Sequence, residues 1–430
     1  MSKYEKYKPS GIDWIGKIPK HWNRKRLKDY AEIIMGQSPD SNSYNDEEFG
    51  VPFYQGKVDF GEFNPIPRIW CNQPTKISEA EDILISVRAP VGELNIANEK
   101  CCIGRGLTAV RIKKGVRKFA YYQFQIINEE LKINVTGSTF EAVSSNDVSI
   151  LKYIFPPADE QLSISNYLDR QTQKIDRLIA NKKAQAEKLK ELRQIEINNA
   201  VTKGLNPNAE MKDSGIDWLG KIPKHWEVKR LKNVSEKITD GEHIAPNFTD
   251  SGMPFLSAKD VRENEILFEE DKFVSEKDGL SFRQRCNPER GDALIVSRGA
   301  TVGRVSIVKT DRIFCLLGSV ILIKPTNKIN SEFLFYALTN PKIQENLYQT
   351  SQSSAQQAIY LVNISFLKLA IPPIEEQIEI SKVLVGKTKL IDNLIKNIEN
   401  QIEKLQELRK INIYEAVTGK IKVNGYERRN

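Results

Sequence analysis

Two long segments of the chain carry apolar residues at helical spacing. Between residues 160 and 202 these residues recur at intervals of three, four and seven, with Lys, Glu and Gln between them, as an amphipathic helix requires. They are Ile164, Leu168, Ile175, Leu178, Leu189, Leu192 and Ile195. Lys182 and Gln185 interrupt this stripe, whereas residues 380–408 follow a cleaner heptad pattern. The pattern predicts two long helices suited to coiled-coil packing.

The flanking residues fix where these helices begin and end. Each follows a Pro-Pro pair, 156–157 or 372–373, and acidic residues come next. Proline fits just before or in the first helical turn, and carboxylates favour the positive end of the helix dipole. Gly204 is a candidate C-cap for the first helix, and residues 206–208 (Asn-Pro-Asn) are a candidate linker.

The chain also repeats itself. Residues 11–28 match residues 215–232 at 15 of 18 positions, and residues 156–202 match residues 372–418 at 25 of 47 positions. The two offsets are 204 and 216, so the second intervening segment is longer by 12 residues. We call these repeated blocks the frame. A duplicated domain has therefore kept the sequence of the frame, whereas the segments between the repeated blocks have lost most of their identity.

The segments between the repeated blocks are predicted to be mixed α/β. Short β-branched runs predict strands at residues 82–87, 107–112, 293–297 and 319–324. Residues 121–131 and 331–338 are predicted as short helices, and residues 37–50 and 239–252 as surface loops. The predicted segments are a globular domain at 1–155, a long helix at 156–204, a second domain at 205–371, and a helix with a tail at 372–430.

Composition narrows the class of protein. The chain has 430 residues, 40% of them hydrophobic, which suits two or three domains with real cores. Five cysteines without zinc spacing argue against a disulfide framework or a structural zinc site, and suit a reducing cytosol. No run of about 18 apolar residues occurs, so we expect neither secretion nor a membrane span. A net charge of +8 permits a polyanionic partner.

The motifs tested for catalysis all fail. Gly11-x-x-x-x-Gly16-Lys17 resembles a phosphate-binding loop, but Ile18 stands where a magnesium-binding Ser or Thr is needed. No Asn/Asp-Pro-Pro-aromatic tetrapeptide marks a methyltransferase, and the chain has only three histidines. The sequence thus indicates a non-catalytic protein without a metal site. Trp14, Trp22, Trp218 and Trp226, four of the five tryptophans, are predicted to pack each domain onto its helix.

Basic residues near Gly, Pro or Ser turns are candidates for DNA contact. Lys57, Arg88 and Arg105 in the first domain lie at roughly matching places to Lys259, Arg298 and Arg304 in the second. Such loops suit phosphate positioning and base-edge readout. Ordinary surface solvation is an alternative for each of them, as it is for His243 in its loop.

The order of domain, PPxxEQ helix, domain, PPxxEQ helix, with DWxGxIPxxW opening each half, resembles the specificity subunit of a type I restriction-modification enzyme. The resemblance covers essentially the whole chain. Met35-Gly-Gln-Ser-Pro39 resembles the start of many target recognition domains, and Asp240-Gly-Glu-His243 resembles a variant of that loop. This adds Gln37, Ser38 and His243 to the candidate DNA-binding residues.

The resemblance implies an α/β (α+β) architecture: two target recognition domains alternating with two antiparallel coiled-coil helices in a pseudo-twofold repeat. Each domain would read one half of a bipartite double-stranded DNA target. Two methyltransferase subunits and the restriction subunits would bind the helical frame, whose motif residues are Glu160, Gln161, Glu376 and Gln377. This chain would bind no cofactor; S-adenosylmethionine, ATP and Mg would belong to its partners.

Two other functions stay open on the sequence. The chain could be a coiled-coil assembly protein whose variable domains bind protein, or an enzyme in its own right. The first predicts no sequence-specific complex with DNA even when a methyltransferase is present. An enzyme would need a catalytic motif, and the sequence contains none of the motifs tested.

Overall fold

The computed structural model describes residues 2–135, 143–244, 246–268, 272–350 and 358–423. It divides into two units. Unit 1 comprises Met1–Lys182 and Asn400–Asn430, and unit 2 comprises Lys183–Glu399. Both boundaries fall within the long helices, so each unit contains a segment of each helix.

The described residues form eight α-helices. They are α1 (Arg117–Val135), α2 (Ser145–Ser149), α3 (Ala158–Lys203), α4 (Glu276–Arg285), α5 (Ser331–Thr339), α6 (Pro341–Thr350), α7 (Leu361–Phe366) and α8 (Ile374–Val417). The long helices α3 and α8 have 46 and 44 residues and carry carboxylates in their first turns. Gly204 follows α3 in the left-handed conformation (φ 74°), which favours glycine as a helix cap.

The strands of unit 1 form two larger sheets and two small ones. They are β1 (Tyr7–Pro9), β2 (Lys17–Pro19), β3 (Asn23–Arg26), β4 (Ala31–Met35), β5 (Tyr44–Asn45), β6 (Val51–Tyr54), β7 (Trp70–Cys71), β8 (Ile77–Ser78), β9 (Ile83–Ser86), β10 (Leu94–Ile96), β11 (Cys101–Ile103), β12 (Leu107–Ile112) and β13 (Lys152–Phe155). One larger sheet has the order β10-β9-β12-β4, and the other has the order β5-β7-β6-β11-β8. In the second sheet β6 and β11 are parallel.

Unit 2 repeats this plan. Its strands are β14 (Met211–Asp213), β15 (Lys221–Pro223), β16 (Glu227–Arg230), β17 (Ser235–Asp240), β18 (Phe248–Thr249), β19 (Met253–Leu256), β20 (Val261–Arg262), β21 (Glu265–Ile266), β22 (Phe273–Val274), β23 (Ala293–Val296), β24 (Val305–Ile307), β25 (Cys315–Leu316), β26 (Val320–Pro325) and β27 (Lys368–Ile371). The order β17-β26-β23-β24 corresponds to the first sheet of unit 1, and the parallel pair β19–β25 corresponds to β6–β11.

Each core joins a sheet to both long helices. In unit 1 buried Trp22 lies with Ile164 and Leu168 of α3 and with Ala416 and Val417 of α8. The core of unit 2 contains the corresponding Trp226, together with Ile197, Ala200 and Val201 of α3 and Ile380 and Leu384 of α8. Each core therefore depends on chain segments that are distant in sequence.

The four predicted strands and both predicted short helices are confirmed within a few residues, because their apolar runs lie in the sheets and cores. Both predicted long helices are confirmed as α3 and α8, but part of the apolar stripe on α3 is not buried. Leu178, Leu192 and Ile195 of α3 are exposed, since the domain covers only part of each helix. The tail beyond residue 423 lies outside the described residues. Among the helices described, none combines the length and apolar character that crossing a bilayer requires.

Candidate nucleic-acid interface

Loops following β4, β6, β9 and β11 meet at one end of the larger sheets of unit 1. The Gln37 amide donates a hydrogen bond to the Ile103 carbonyl (2.9 Å). The Val87 amide donates to the Gly106 carbonyl (2.9 Å), and the Gly106 amide donates to the Gln55 carbonyl (3.2 Å). Backbone bonds thus hold these loops together as one surface, called here the loop surface of unit 1.

Glycine permits the close approach of these loops. A Cβ atom at Gly36 would lie 2.1 Å from the carbonyl oxygen of Gly104, and one at Gly106 would lie 2.4 Å from that of Gln55. Both distances are far below van der Waals contact, and each obstructing atom belongs to the backbone. The spacing of the loops therefore depends on the missing side chains.

The loop surface of unit 1 includes all five DNA-binding candidates predicted in the first domain. Gln37, Lys57, Arg88 and Arg105 are exposed, and Ser38 is half-buried. Lys57 Nζ lies 3.4 Å from a carboxylate oxygen of Glu93. The Ser38 hydroxyl accepts a hydrogen bond from the Arg105 amide (3.4 Å). Within the described residues neither the Arg88 nor the Arg105 guanidinium forms an ion pair, so both can bind an anion.

Unit 2 builds a corresponding loop surface after β17, β19, β23 and β25. The Glu242 amide donates to the Leu316 carbonyl (2.7 Å), as Gln37 does to Ile103. The Ser297 amide donates to the Ser319 carbonyl (2.9 Å), as Val87 does to Gly106. These bonds fix which positions correspond in the two units.

Gly241 has the role of Gly36, because its Cβ would lie 2.1 Å from the Leu316 carbonyl oxygen. Beside it His243 Nε2 lies 2.8 Å from Asp240 Oδ2, and the Arg285 guanidinium donates to the other oxygen of Asp240. His243 is therefore oriented by a carboxylate at the edge of the loop surface, and its ring remains accessible.

Lys259 and Arg298 are exposed at positions that match Lys57 and Arg88. The predicted match of Arg304 with Arg105 is wrong. The Arg304 carbonyl accepts from Val296, as the Glu93 carbonyl does from Ser86, so Arg304 corresponds to Glu93. Its half-buried guanidinium donates to the Val261 carbonyl (3.2 Å) and is less available for a ligand.

The two loop surfaces share their backbone bonds but differ in side chains. Gln37 corresponds to Glu242, Ser38 to His243, Arg105 to Gly318, and Glu93 to Arg304. Arg88 and Arg298 are alike, as are Lys57 and Lys259. The surfaces thus combine shared cations with positions of opposite or unrelated chemistry, an arrangement suited to binding one kind of polymer in two different sequences.

Two aromatic–cation pairs near this end of unit 2 were not predicted. Lys272 Nζ lies 5.0 Å from the ring centre of Phe248, and Arg312 lies 4.8 Å from that of Phe268. Arg285, which contacts Asp240, was also missed. The partners are far apart in sequence, so no local pattern indicates them.

The repeated frame motif joins each domain to its long helix. In unit 1 the Trp22 indole donates to Glu160 (3.0 Å), the Tyr4 hydroxyl donates to the same carboxylate (2.7 Å), and His21 lies 2.5 Å from it. Burial is the main cause that raises the pKa of Tyr4 above its usual range, and the bond to Glu160 adds to it. Glu160 thus collects three side chains at the first turn of α3.

Glu376 collects two side chains at the first turn of α8 in unit 2. It accepts from the Trp226 indole (3.1 Å) and lies 2.8 Å from His225. Trp22 and Trp226 are both fully buried. Trp218 is half-buried against the core of unit 2, whereas Trp14 is 38% exposed and lies beside Tyr414. The packing role predicted for the four tryptophans is therefore strongest at Trp22 and Trp226.

Gln161 and Gln377 correct the prediction that these motif residues contact other subunits. They are 1% and 0% exposed. Gln161 accepts from the Val116 amide (2.8 Å) and donates to the Pro156 carbonyl (2.7 Å). Gln377 makes the same pair of bonds with Asn330 and Pro372 (2.8 Å each). Their side chains fasten the loop before α1 or α5 to the helix start.

The long helices are joined by an equivalent ion pair in each unit. In unit 1 Asp176 of α3 lies 3.0 Å from Arg409 of α8, and in unit 2 Arg193 of α3 lies 3.0 Å from Asp392 of α8. These residues are related by the offset of 216 in the repeat. Since the start of α3 and the end of α8 also meet at Trp22, the helix segments of unit 1 run antiparallel.

Other chemistry is sparse in the described part of the chain. No group of three His, Cys, Asp or Glu side chains there is placed to hold a metal ion. All five cysteines are free and buried. Burial raises the pKa of the Cys101 and Cys286 thiols to about 12 and that of Cys315 to about 11. The exposed cations of the loop surfaces remain the candidates for binding a ligand.

Comparison with known proteins identifies a family. The model of the type I restriction modification DNA specificity domain matches residues 19–188 and again residues 223–404. A putative type I restriction enzyme MjaX specificity subunit from Methanocaldococcus jannaschii is 41% identical over 192 residues, 44% of each chain. The MjaVIII specificity subunit of that organism is 24% identical, covering 95% of this chain and 94% of its own length.

Solved structures show the same fold. One, described as the "structural basis underlying complex assembly and conformational transition of the type I R-M system", has a TM-score of 0.71 at 17% identity and covers 94% of this chain and 99% of its own. The HsdS subunit from Thermoanaerobacter tengcongensis has a TM-score of 0.50 at 16% identity and covers 94% of this chain and 98% of its own. These likenesses bear on the architecture alone.

Proposed function

Because the chain belongs to the type I restriction-modification DNA specificity family and contains its domain twice, we propose that each loop surface reads one half of a bipartite DNA target. The observation that supports this most is the pair of equivalent backbone frameworks that present different side chains. A shared framework suits docking on the duplex twice, and the differences suit two unlike half-sites.

By this proposal the side chains of the loop surfaces form two groups, those that are identical in both units and those that differ. Arg88 and Arg298, alike in both units, are suited to phosphates or to guanine, which arginine binds with two hydrogen bonds. Gln37 and Glu242, at one corresponding position, differ in what they can read. An amide both donates and accepts, as adenine requires, whereas a carboxylate accepts from the cytosine amino group.

The chain is a non-catalytic subunit, and the reaction belongs to its partners. We infer that two methyltransferase subunits transfer the methyl group from S-adenosylmethionine to adenine N6, and that restriction subunits supply ATP- and Mg-dependent cleavage. The target base must leave the stack to be methylated, so this chain contributes position and the partner contributes the pocket. The complex would work in the cytoplasm.

Exposed apolar residues on the long helices support two equivalent partner sites. Four pairs are related by the offset of 216: Leu162 and Ile378, Leu178 and Leu394, Leu192 and Leu408, and Ile195 and Ile411. In unit 1 the ion pair of Asp176 with Arg409 joins the two long helices. Leu178 follows Asp176 by two residues and Leu408 directly precedes Arg409, so these two leucines lie on the same part of the helix pair. The same relation links Leu394 and Leu192 in unit 2.

The test is to map N6-methyladenine genome-wide in cells with the gene, without it, and with Gln37→Glu or Glu242→Gln. Deletion should abolish one bipartite methylated motif. Each substitution should alter only one half of that motif, with a discrimination change of roughly 1–3 kcal/mol at the affected base. An unchanged methylation pattern on deletion in cells that express the methyltransferase would contradict the proposal.

A further inference from the structure

Both units place like charges opposite each other in a small antiparallel sheet of the frame. In unit 1 β3 pairs with β13 so that Arg26 faces Lys152. In unit 2 β16 pairs with β27 so that Arg230 faces Lys368. Directly opposed like charges destabilise a sheet, so this arrangement is unfavourable for folding.

A third cation and an apolar side chain complete each group. Lys28 follows Arg26 by two residues, and Lys232 follows Arg230 in the same way. Ile150 and Phe366, at corresponding positions, are each 46% exposed. The Phe366 ring lies 5.0 Å from the Arg230 guanidinium and 4.2 Å from Lys232 Nζ. We call Arg26, Lys28 and Lys152, and likewise Arg230, Lys232 and Lys368, the cationic clusters.

The clusters are poorly neutralised by their own chain. In the part of the chain that the structure describes, no ion pair is made by Arg230, Lys232 or Lys368. In unit 1 the only such contact joins Arg26 to Asp29 at 3.8 Å, counting described residues alone. Asn233 replaces this aspartate in unit 2. The cluster of unit 2 therefore presents its positive charge without an ion-pair partner among the described residues, and that of unit 1 is compensated only by Asp29 there.

The duplication has retained this charge where neighbouring residues changed. Residues 26–28 and 230–232 both read Arg-Leu-Lys, although residues 23 and 24 (Asn-Arg) became Glu-Val at 227 and 228. Core packing explains the leucines, since Leu27 and Leu231 are fully buried. It does not explain the exposed cations, whose retention at a cost in stability indicates an external partner bound twice.

The position of the clusters favours a protein over DNA. Each cluster lies before β4 or β17, whereas the loop surface follows these strands. A five-residue strand spans about 17 Å, so DNA read by the loops is far from the cluster. Lys152 and Lys368 each lie six residues before the start of a long helix. An apolar residue among cations also suits a protein interface, while phosphate contact has no use for it.

We propose that each cationic cluster docks a methyltransferase subunit through a protein surface whose carboxylates surround an apolar residue. This inference rests on the proposed function and adds a second contact to the helical one. The cluster would act mainly through charge, so it would set the association rate and the salt dependence of assembly.

The test uses Lys152→Glu and Lys368→Glu in the full chain, singly and together. Each change places a carboxylate opposite an arginine, so the melting temperature should stay the same or rise. Binding to the purified methyltransferase subunit encoded with this chain should nevertheless weaken, by about tenfold for each substitution at low salt, with less difference in 0.5 M NaCl. Lys100→Glu and Lys277→Glu, exposed and outside the clusters, are the controls of equal charge change.

The outcomes separate the proposals. Binding of the double variant as tight as that of the unaltered chain would overturn the docking inference alone. So would unchanged assembly together with a reduced salt dependence of binding to non-target duplex DNA, because that result assigns the clusters to phosphates. Failure of the unaltered chain to bind the methyltransferase would overturn the proposed function itself, and the docking inference with it.

Discussion

Single glycines decide how closely the recognition loops approach each other. We expect Gly36→Ala to lower the free energy of unfolding of unit 1 by roughly 1–3 kcal/mol, because the new methyl group meets the backbone oxygen of Gly104. Urea denaturation followed by fluorescence measures the change. Gly56→Ala is the control, since Gly56 has an extended backbone (φ −174°) and nothing within 4 Å of the new atom. Equal stability of the two variants would show that the loops can move apart without cost.

The cysteines make a second prediction at this scale. Thiolate is the reactive form, and a thiol pKa near 12 leaves about a thousandfold less of it at pH 8 than a pKa near 9. Burial should leave all five thiols unreactive towards iodoacetamide in the folded protein, and at Cys101 and Cys286 the raised pKa adds to this effect. Mass spectrometry should find labelling only after denaturant is added. Rapid labelling of any one of them in the native state would contradict the structure at that site.

The sequence located some of these residues and misassigned others for identifiable reasons. The predicted correspondence of Arg88 with Arg298 is confirmed, because each follows by two residues a strand that its apolar run makes recognisable, β9 or β23. Arg304 was matched wrongly, since its place depends on the register between β23 and β24 rather than on sequence spacing. Gln161 was assigned to subunit contact through its place in the PPxxEQ motif, whereas its buried side chain bonds two backbone groups that only the fold brings to it.

At the scale of elements, the long helices are joined by charged as well as apolar contacts. A double-mutant cycle of Asp176→Ala and Arg409→Ala should show a favourable coupling of about 0.2–1 kcal/mol, because the pair is partly exposed and screened. The equivalent cycle of Arg193→Ala and Asp392→Ala should agree in sign. Thermal denaturation at low and high salt measures both. Zero coupling in both cycles would leave the helix pairing to apolar contacts alone.

Element prediction succeeded where the apolar pattern alone decides the structure. The Pro-Pro pairs and Gly204 located the ends of the helices, and β-branched runs located the central strands. Leu178 and Leu192 belong to the apolar spacing that predicts α3, yet both are exposed, because helical spacing indicates a face without indicating what covers it. The pairing of β6 with β11, separated by 46 residues, is likewise invisible to a local pattern.

At the scale of the whole molecule, unit 1 depends on the two most distant parts of the chain. Ile413, Ala416 and Val417 are buried in its core. Removal of residues 400–430 should therefore expose that core and leave unit 1 sensitive to protease, whereas residues 183–399 keep their own core contacts. Limited proteolysis with mass spectrometry reads out each unit separately. Equal resistance of unit 1 in the truncated and full chains would show that its core closes without α8.

This dependence sets an order of events during synthesis. The ribosome makes residues 1–182 before unit 2, yet the segment of α8 that completes their core emerges only after unit 2, which is complete once residue 399 has left the exit tunnel. Domains are generally expected to fold from the N-terminus onward at the pace of translation. Here unit 1 should close after unit 2 although its synthesis begins earlier, and its apolar surface should stay open to chaperones or to other nascent chains until residues 413–417 have emerged.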